Sequence, residues 1–389
     1  MAATVPMDPF VRSTSREVAV GWLYGLLPAE PLPTTSKTAR AALDHAILPA
    51  LLRGPCYVTF SGGRDSSAVL AAATDLARRE GLQLPIPVTR VYPDLPDTDE
   101  STWQNLVIKH LGLSEWIRLE FRHGETDLLG VAAKEGLRRH GLIWPVALQP
   151  HGAMFERLGP GSLMSGEGGD AVLGRRRGTA LTVLRSRRLP SRLALQRAVR
   201  SLLPRPVRQA MMERDLRQSM HSRWLQPAAL AEHARTVAAE EAAEPLRYDE
   251  STWFLTRRRS FAVGVSNHAA RAAEYGIITH DPLLDRGFIA ALARSGQRWG
   301  FRSRTAAMQA LFTDVLPKEV LSRPTKARFN QAHTGSATRD FARTWDGSGV
   351  DPELVDVARL RDVWLSDEPT MGTGMLLHSA WLATEEGSA

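Results

Sequence analysis

One stretch constrains this chain more than any other: Tyr57-Val58-Thr59-Phe60-Ser61-Gly62-Gly63-Arg64-Asp65-Ser66-Ser67. The apolar run Cys56–Phe60 reads as a short buried strand, and the Ala/Leu/Val-rich run Ser66–Glu80 reads as a helix stopped by Gly81. Between them, Gly62 and Gly63 permit a tight turn whose backbone N–H groups converge at the positive end of a helix dipole. Such a turn is an anion site suited to a pyrophosphate. Ser61, Ser66 and Ser67 add hydroxyl donors to the same oxygens. Asp65 repels phosphate, so its sensible role is to hold Mg2+ that bridges the phosphates. The loop lacks the Gly-Lys-Ser/Thr of a Walker A sequence and the Gly-x-Gly-x-x-Gly of a dinucleotide turn. An ordinary Gly-rich turn is the bland alternative, and the full string after a buried strand argues against it.

The chain continues in βα alternation. Ile86–Tyr92, Ile117–Phe121 and Ser162–Met164 read as further strands. Asp99–His110 and Asp127–His140 read as helices, the first entered through Asp97–Glu100 with capping-box-like spacing. Strands separated by helices imply parallel pairing with right-handed crossovers. From Arg175 onward strand signals stop. Helical periodicity covers Leu181–Met220 (interrupted at Pro190, Pro204 and Pro206), Pro227–Glu244, Trp253–Tyr275, Arg286–Ser295 and Arg304–Leu316. A loop surrounds Arg323–His333, and Val357–Thr384 is helical with a break at Pro369. The expected fold is α/β: a parallel sheet with flanking helices, followed by a mostly helical C-terminal half. The expected organisation is an N-terminal arm of little periodicity (1–40), an α/β core (41–174), an Arg-rich helical insertion (175–250) and a helical part completing the domain (251–389).

Composition narrows the class. The chain has 389 residues, 49 Lys+Arg against 42 Asp+Glu, and a formal net charge of +7. Fourteen arginines and two acids lie between Arg175 and Arg223, so that segment alone carries +12 and the rest of the chain is acidic. The segment suits an acidic peptide or acidic partner; solvated helices with packed Arg stems are the plain alternative. Nucleic acid is disfavoured because Trp224 is the only aromatic residue in or bordering it. Cys56 is the only cysteine, which excludes disulfide scaffolds and Cys-rich zinc sites, and inside a strand it reads as a core residue. No apolar run approaches the roughly 18 residues of a membrane span. The first residues lack the order of a secretory signal, so a cytoplasmic location is expected.

A second Gly-rich loop follows the fourth strand: Ser162-Leu-Met-Ser165-Gly166-Glu167-Gly168-Gly169-Asp170, continuing to Gly174. With it, a family resemblance becomes plain. Ser61–Ser66 resembles the pyrophosphate loop of the ATP-pyrophosphatase group, which cleaves ATP to AMP and pyrophosphate by adenylating a substrate. The second loop is similar to the Ser-Gly-Glu-Gly-x-Asp-Glu motif of the asparagine synthetase family's synthetase domain, with Ala171 at the second acid. Gly276–Asp285 resembles the family's Glu-x-Arg-x-Pro-Phe-Leu-Asp stretch, with Ile278 at the Glu and His280 at the Arg. Leu316-Pro317 and Arg323-Pro-Thr-Lys326-Ala-Arg-Phe329 resemble its C-terminal Leu-Pro and Arg-x-Lys-x-x-Phe stretch, with one extra residue. Asp99-Glu100 matches the family's acidic pair, read first as a helix cap and second as a substrate contact. Arg64 stands where an aliphatic residue is common and is expected to point outward.

The resemblance runs from Leu43 to Leu382 and implies the site. Ser165 and Gly166 join the first loop in binding ATP, Asp170 joins Asp65 on Mg2+, Glu167 takes a proton from an attacking amine if burial raises its pKa, and Lys326 stabilises developing negative charge. Position 2 is Ala rather than a nucleophilic Cys, and only about 40 residues precede the ligase-like region, too few for a glutaminase domain. Relatives of that kind include β-lactam synthetases and lasso-peptide cyclases, which use an amine of the substrate itself. The tyrosine–glutamate pair of the β-lactam enzymes is absent here, with Glu167 and Ile278 at those places, and the Ser-Gly-Gly-Arg-Asp-Ser-Ser, Gly-Gly-Asp and Arg-Pro-Thr-Lys forms more closely resemble the peptide-cyclising branch. The expectation is an AMP-forming amide ligase acting on a small-molecule or peptide carboxylate. The alternatives are a stand-alone asparagine synthase fed by ammonia or a separate glutaminase, and an RNA-modifying ATP-pyrophosphatase.

Overall fold

The protein is described by a computed structural model covering residues 8–122, 124–174, 192–219, 222–323, 330–367 and 369–387. The strands β1 (Cys56–Thr59), β2 (Ile86–Val91), β3 (Ile117–Glu120), β4 (Gly161–Met164) and β5 (Ile277–His280) form one all-parallel sheet, in the order β3-β2-β1-β4-β5. The first four match the sequence reading. β5 corrects it, since strand structure does not stop at Arg175. Its four residues pair with β4 from Gly161↔Ile277 to Met164↔His280. A strand this short, with Ile278 exposed, carries too little alternation to stand out between helices.

The pairing order fixes the position of the site. β2 and β3 step away on one side of β1, and β4 then returns to its other side, with Val58 opposite Pro87 in β2 and Met164 in β4. The order in which strands are added therefore reverses between β1 and β4, while all strands stay parallel. In an open parallel sheet, a crevice forms at this point beyond the carboxyl ends of the strands. Both Gly-rich loops emerge there.

Each sheet face is covered, as parallel strands require. Cys56, Val58 and Met164 pack with helices Ala39–Leu51, Arg64–Glu80 and Arg286–Gly296. Tyr57, Val88 and Leu163 face helices Leu148–Phe155 and Arg259–Ala273. The Arg64–Glu80 helix is buried continuously from Ser66 to Thr74 and ends at Gly81 in the left-handed conformation (φ 65°). A third cluster joins helices Val357–Leu365 and Gly374–Glu386 around the Trp345 and Trp364 rings, whose centroids are 4.6 Å apart.

The N-terminal arm also departs from expectation. Ser15–Val20 is a helix with a complete Thr14/Glu17 capping box, and Val18, Ala19 and Val20 enter the third cluster. Six residues are too few to show periodicity. In the expected Leu181–Met220 stretch, helices Arg192–Leu202 and Arg205–Arg217 are separated at Pro204 as read from the sequence, whereas Pro206 is accommodated in the first turn of the second; residues 175–191 and 220 lie outside the described segments. Helical structure also breaks on either side of Pro369, as read from the sequence. No helix among the described residues is long and apolar enough to cross a membrane.

The turn at residues 126–129 stitches the two halves together. The fully buried Asp127 carboxylate accepts N–H bonds from Leu129 and Gly335 (2.8 Å each) and a hydroxyl bond from Thr338. One acid thereby serves the starts of helices Val131–His140 and Ser336–Thr344. From the C-terminal helix, the buried His378 ring bonds through Nε2 to the Leu128 carbonyl at 2.9 Å. Burial holds this imidazole down at about 4. The unfolded chain, titrating near 6.5, then binds more protons than the native state as pH falls from 6.5 toward 4, so stability is lost in that window. The His378 share amounts to about 2 kcal/mol at pH 5. Urea unfolding of the wild type and His378→Gln at pH 7.5 and pH 5 checks this: the variant starts less stable but loses about 2 kcal/mol less on acidification.

Candidate active site

The first Gly-rich loop is shaped by its own polar groups. Gly62 is in the left-handed region (φ 79°), a conformation that favours glycine. The Ser66 hydroxyl accepts from the Ser61 N–H (3.2 Å) and donates to the Gly63 carbonyl (3.2 Å), and the Ser61 hydroxyl accepts from the Gly63 N–H (3.3 Å). Ser61, Gly63, Asp65 and Ser66 line a cavity of about 540 Å³. Gly62 shapes the loop from beneath. The expectation for Ser67 is corrected: its side chain is fully buried inside the helix and does not line the cavity. Helical spacing turns it roughly 100° from Ser66, toward the core.

The second loop lies directly against the first. A Cβ built on Gly166 would stand 2.7 Å from the Ser66 nitrogen, and one on Gly169 would overlap the Asp65 carboxyl. Both positions therefore need glycine for the loops to meet. Ser165, Gly166, Glu167 and Asp170 complete the cavity wall. Ser165 accepts from the Glu167 N–H (3.0 Å) and donates to the Asp281 carboxylate, which ties the loop to the residue following β5. Glu167 stands exposed at the cavity mouth, so the burial expected to raise its pKa is not there.

Asp65 and Asp170, on separate loops, converge so closely that a single guanidinium spans them. Arg304 donates to both Asp65 oxygens (2.7 and 2.6 Å) and to an Asp170 oxygen. Burial pushes the Asp65 carboxyl above its ordinary value, against the pull of Arg304. Burial would lower Arg304 in turn, but its bonds to Asp65 hold it raised. Arg64 does not point outward as expected; it lines the cavity, where burial and then the charge of Arg304 lower its pKa.

The capping expectation for Asp99-Glu100 is half right. Asp99 accepts from the Ser101 N–H at 2.9 Å, opening the Ser101–Leu111 helix. Glu100 caps nothing and forms a buried ion pair with Arg323. Arg323 also donates to the Gly62 carbonyl (2.7 Å) and lies over the Trp103 ring at 4.8 Å. The Gly62 carbonyl of the first loop is thus held by a residue from the C-terminal half. Lys326, three residues later, lies outside the described residues. Farther from the loops, Val88, Arg90, Met154 and Phe261 line the cavity. Arg90 bonds the His151 ring at 3.2 Å, and burial, then the Arg90 charge, holds that imidazole far below its ordinary range. Cys56 is buried and its thiol is pushed up to about 12, in keeping with a core role. Trp224 is also buried, its indole N–H bonded to the Ala19 carbonyl, so it offers no stacking surface to a base.

The sequence profile of the asparagine synthase family matches residues 38–382. A search of individually characterised proteins gave no significant match.

The Glu100–Arg323 pair generates a stability prediction. Glu100→Ala strands a buried guanidinium and should cost about 3–5 kcal/mol, while an apolar replacement of both partners recovers most of the loss. Urea unfolding of the single and double variants measures both, and a loss below about 1 kcal/mol for the single variant removes the pair as an anchor of the phosphate loop.

Proposed function

Because the chain belongs to the asparagine synthase family, whose members are ATP-dependent amide-forming ligases, we propose that it adenylates a substrate carboxylate, releasing pyrophosphate, and joins the acyl group to an amine, releasing AMP. The observation that carries this reading is the convergence of Asp65 and Asp170, from two Gly-rich loops, onto one cation position at the reversal point of the sheet.

The donor set fits Mg2+. Among the described residues no third acid, histidine or cysteine joins the pair, and Mg2+ is commonly held by one or two carboxylates with phosphates and water completing the octahedron. Asp65 and Asp170 would hold it, and when bound it would neutralise charge on the departing pyrophosphate. The chain's own groups do the rest. The N–H of Gly63, the hydroxyls of Ser61 and Ser66 and the start of the Arg64–Glu80 helix bind the pyrophosphate portion, with Ser165 and Gly166 closing over it. Val88, Met154 and Phe261 give the acyl group an apolar wall beside the loops. Glu167, at the mouth, is placed to accept the proton of an entering amine, and Lys326 stabilises the oxyanion formed by its attack. We place the amine on the substrate itself, in peptide or natural-product cyclisation, on the resemblance of the Ser61–Ser67, Gly168–Asp170 and Arg323–Lys326 forms to the peptide-cyclising branch.

Isotope exchange between pyrophosphate and ATP, run over a panel of free acids and acidic peptides, tests the first half-reaction. Exchange with at least one acid is expected, and formation of ADP and phosphate instead would overturn the assignment. Asp65→Asn should abolish exchange. Lys326→Ala should keep nucleotide affinity within about threefold while AMP release falls about 100-fold or more.

A further inference from the structure

Arg304 opens the Arg304–Phe312 helix, whose N-cap Ser303 accepts from the Ala306 N–H at 3.1 Å. The cap fixes the backbone from which Arg304 reaches into the phosphate end of the cavity. Its guanidinium, one-fifth exposed, takes up three carboxylate oxygens, two from Asp65 and one from Asp170. These are the two acids that would hold the metal. A divalent cation and Arg304 thus compete for the same oxygens.

We propose that Arg304 is the resident counter-ion of the Asp65–Asp170 pair and must leave it before a divalent cation can bind, so that the site takes metal and polyphosphate as one unit and resists metal alone. The inference rests on the nucleotide-ligase reading and concerns the order in which that site loads. Metal entering by itself breaks three charge-assisted hydrogen bonds and leaves a partly buried guanidinium beside a dication. Arg64 lines the same cavity and already repels Arg304, so no compensating acid is gained. Metal entering with a polyphosphate brings anionic oxygens into the cavity that Arg304 lines, and a guanidinium binds phosphate with the same bidentate geometry it uses for carboxylate. The two ligands are therefore positively coupled through one side chain, and the coupling is reciprocal.

Mn2+ binding followed by the electron paramagnetic resonance of the free ion, with and without α,β-methylene-ATP, whose α–β bridge cannot be cleaved, tests this without turnover. The wild type should bind Mn2+ alone weakly and about tenfold or more tightly with α,β-methylene-ATP present. Arg304→Gln should bind Mn2+ alone about tenfold more tightly than the wild type, with the nucleotide enhancement largely lost. Arg304→Lys, which keeps the charge but not the fork, should lie between them. Adding Asp65→Asn to Arg304→Gln should remove the gain, which assigns the metal to the pair. Unchanged or weaker Mn2+ binding by Arg304→Gln in the absence of nucleotide, with Arg304→Lys also at the wild-type value, overturns the proposal. Failure of α,β-methylene-ATP to bind the wild type with Mn2+ instead removes the nucleotide reading, and the metal-only comparison still decides the role of Arg304.

Discussion

The close approach of two glycine-bearing loops is the contact on which the site depends. Gly166 rests on the Ser66 backbone and Gly169 on the Asp65 side chain, at separations no other residue type permits. That approach is a consequence of strand pairing: β1 and β4 are neighbours in register, so the turns that follow them leave the sheet side by side. Were β4 placed elsewhere in the order, the same two sequences would form two unrelated turns. The acids they carry would then have no common cation.

The C-terminal half supplies two further cations that hold the loops in place. Arg304 and Arg323 reach the first loop from more than 200 residues away, one satisfying the Asp65–Asp170 pair and the other supporting Glu100 and the Gly62 carbonyl. Asp127 and His378 perform a comparable task at the opposite junction, where helix starts and a carbonyl would otherwise be buried without partners. The two halves are thus joined by buried polar contacts as well as by apolar packing. The geometry of the crevice accordingly depends on the whole chain being folded.

What could be read in advance follows from how far apart the interacting residues are. The strand-loop-helix units around Ser61 and Ser165 were legible because turn chemistry, caps and apolar runs are local, and four of five strands followed. The pairing of Glu100 with Arg323 left no such trace: beside Asp99, Glu100 looks like one more acid at a helix start. Arg304 is one of 44 arginines, and nothing in its neighbourhood distinguishes it from a solvated one. Ser67 was misjudged for the opposite reason, since a motif read as a string ignores the rotation that a helix imposes on successive side chains. The short β5 and the six-residue N-terminal helix fell below the length at which periodicity can be detected.

The single cysteine has a practical corollary. Cys56 sits in the central strand with its sulfur shielded and held in the thiol form, so alkylating dyes have nothing to react with while the fold is intact. One engineered surface thiol would therefore be the sole point of attachment for a fluorophore or spin probe. Distances between the C-terminal helices and the crevice could then be followed in the otherwise native sequence, with no background substitution required.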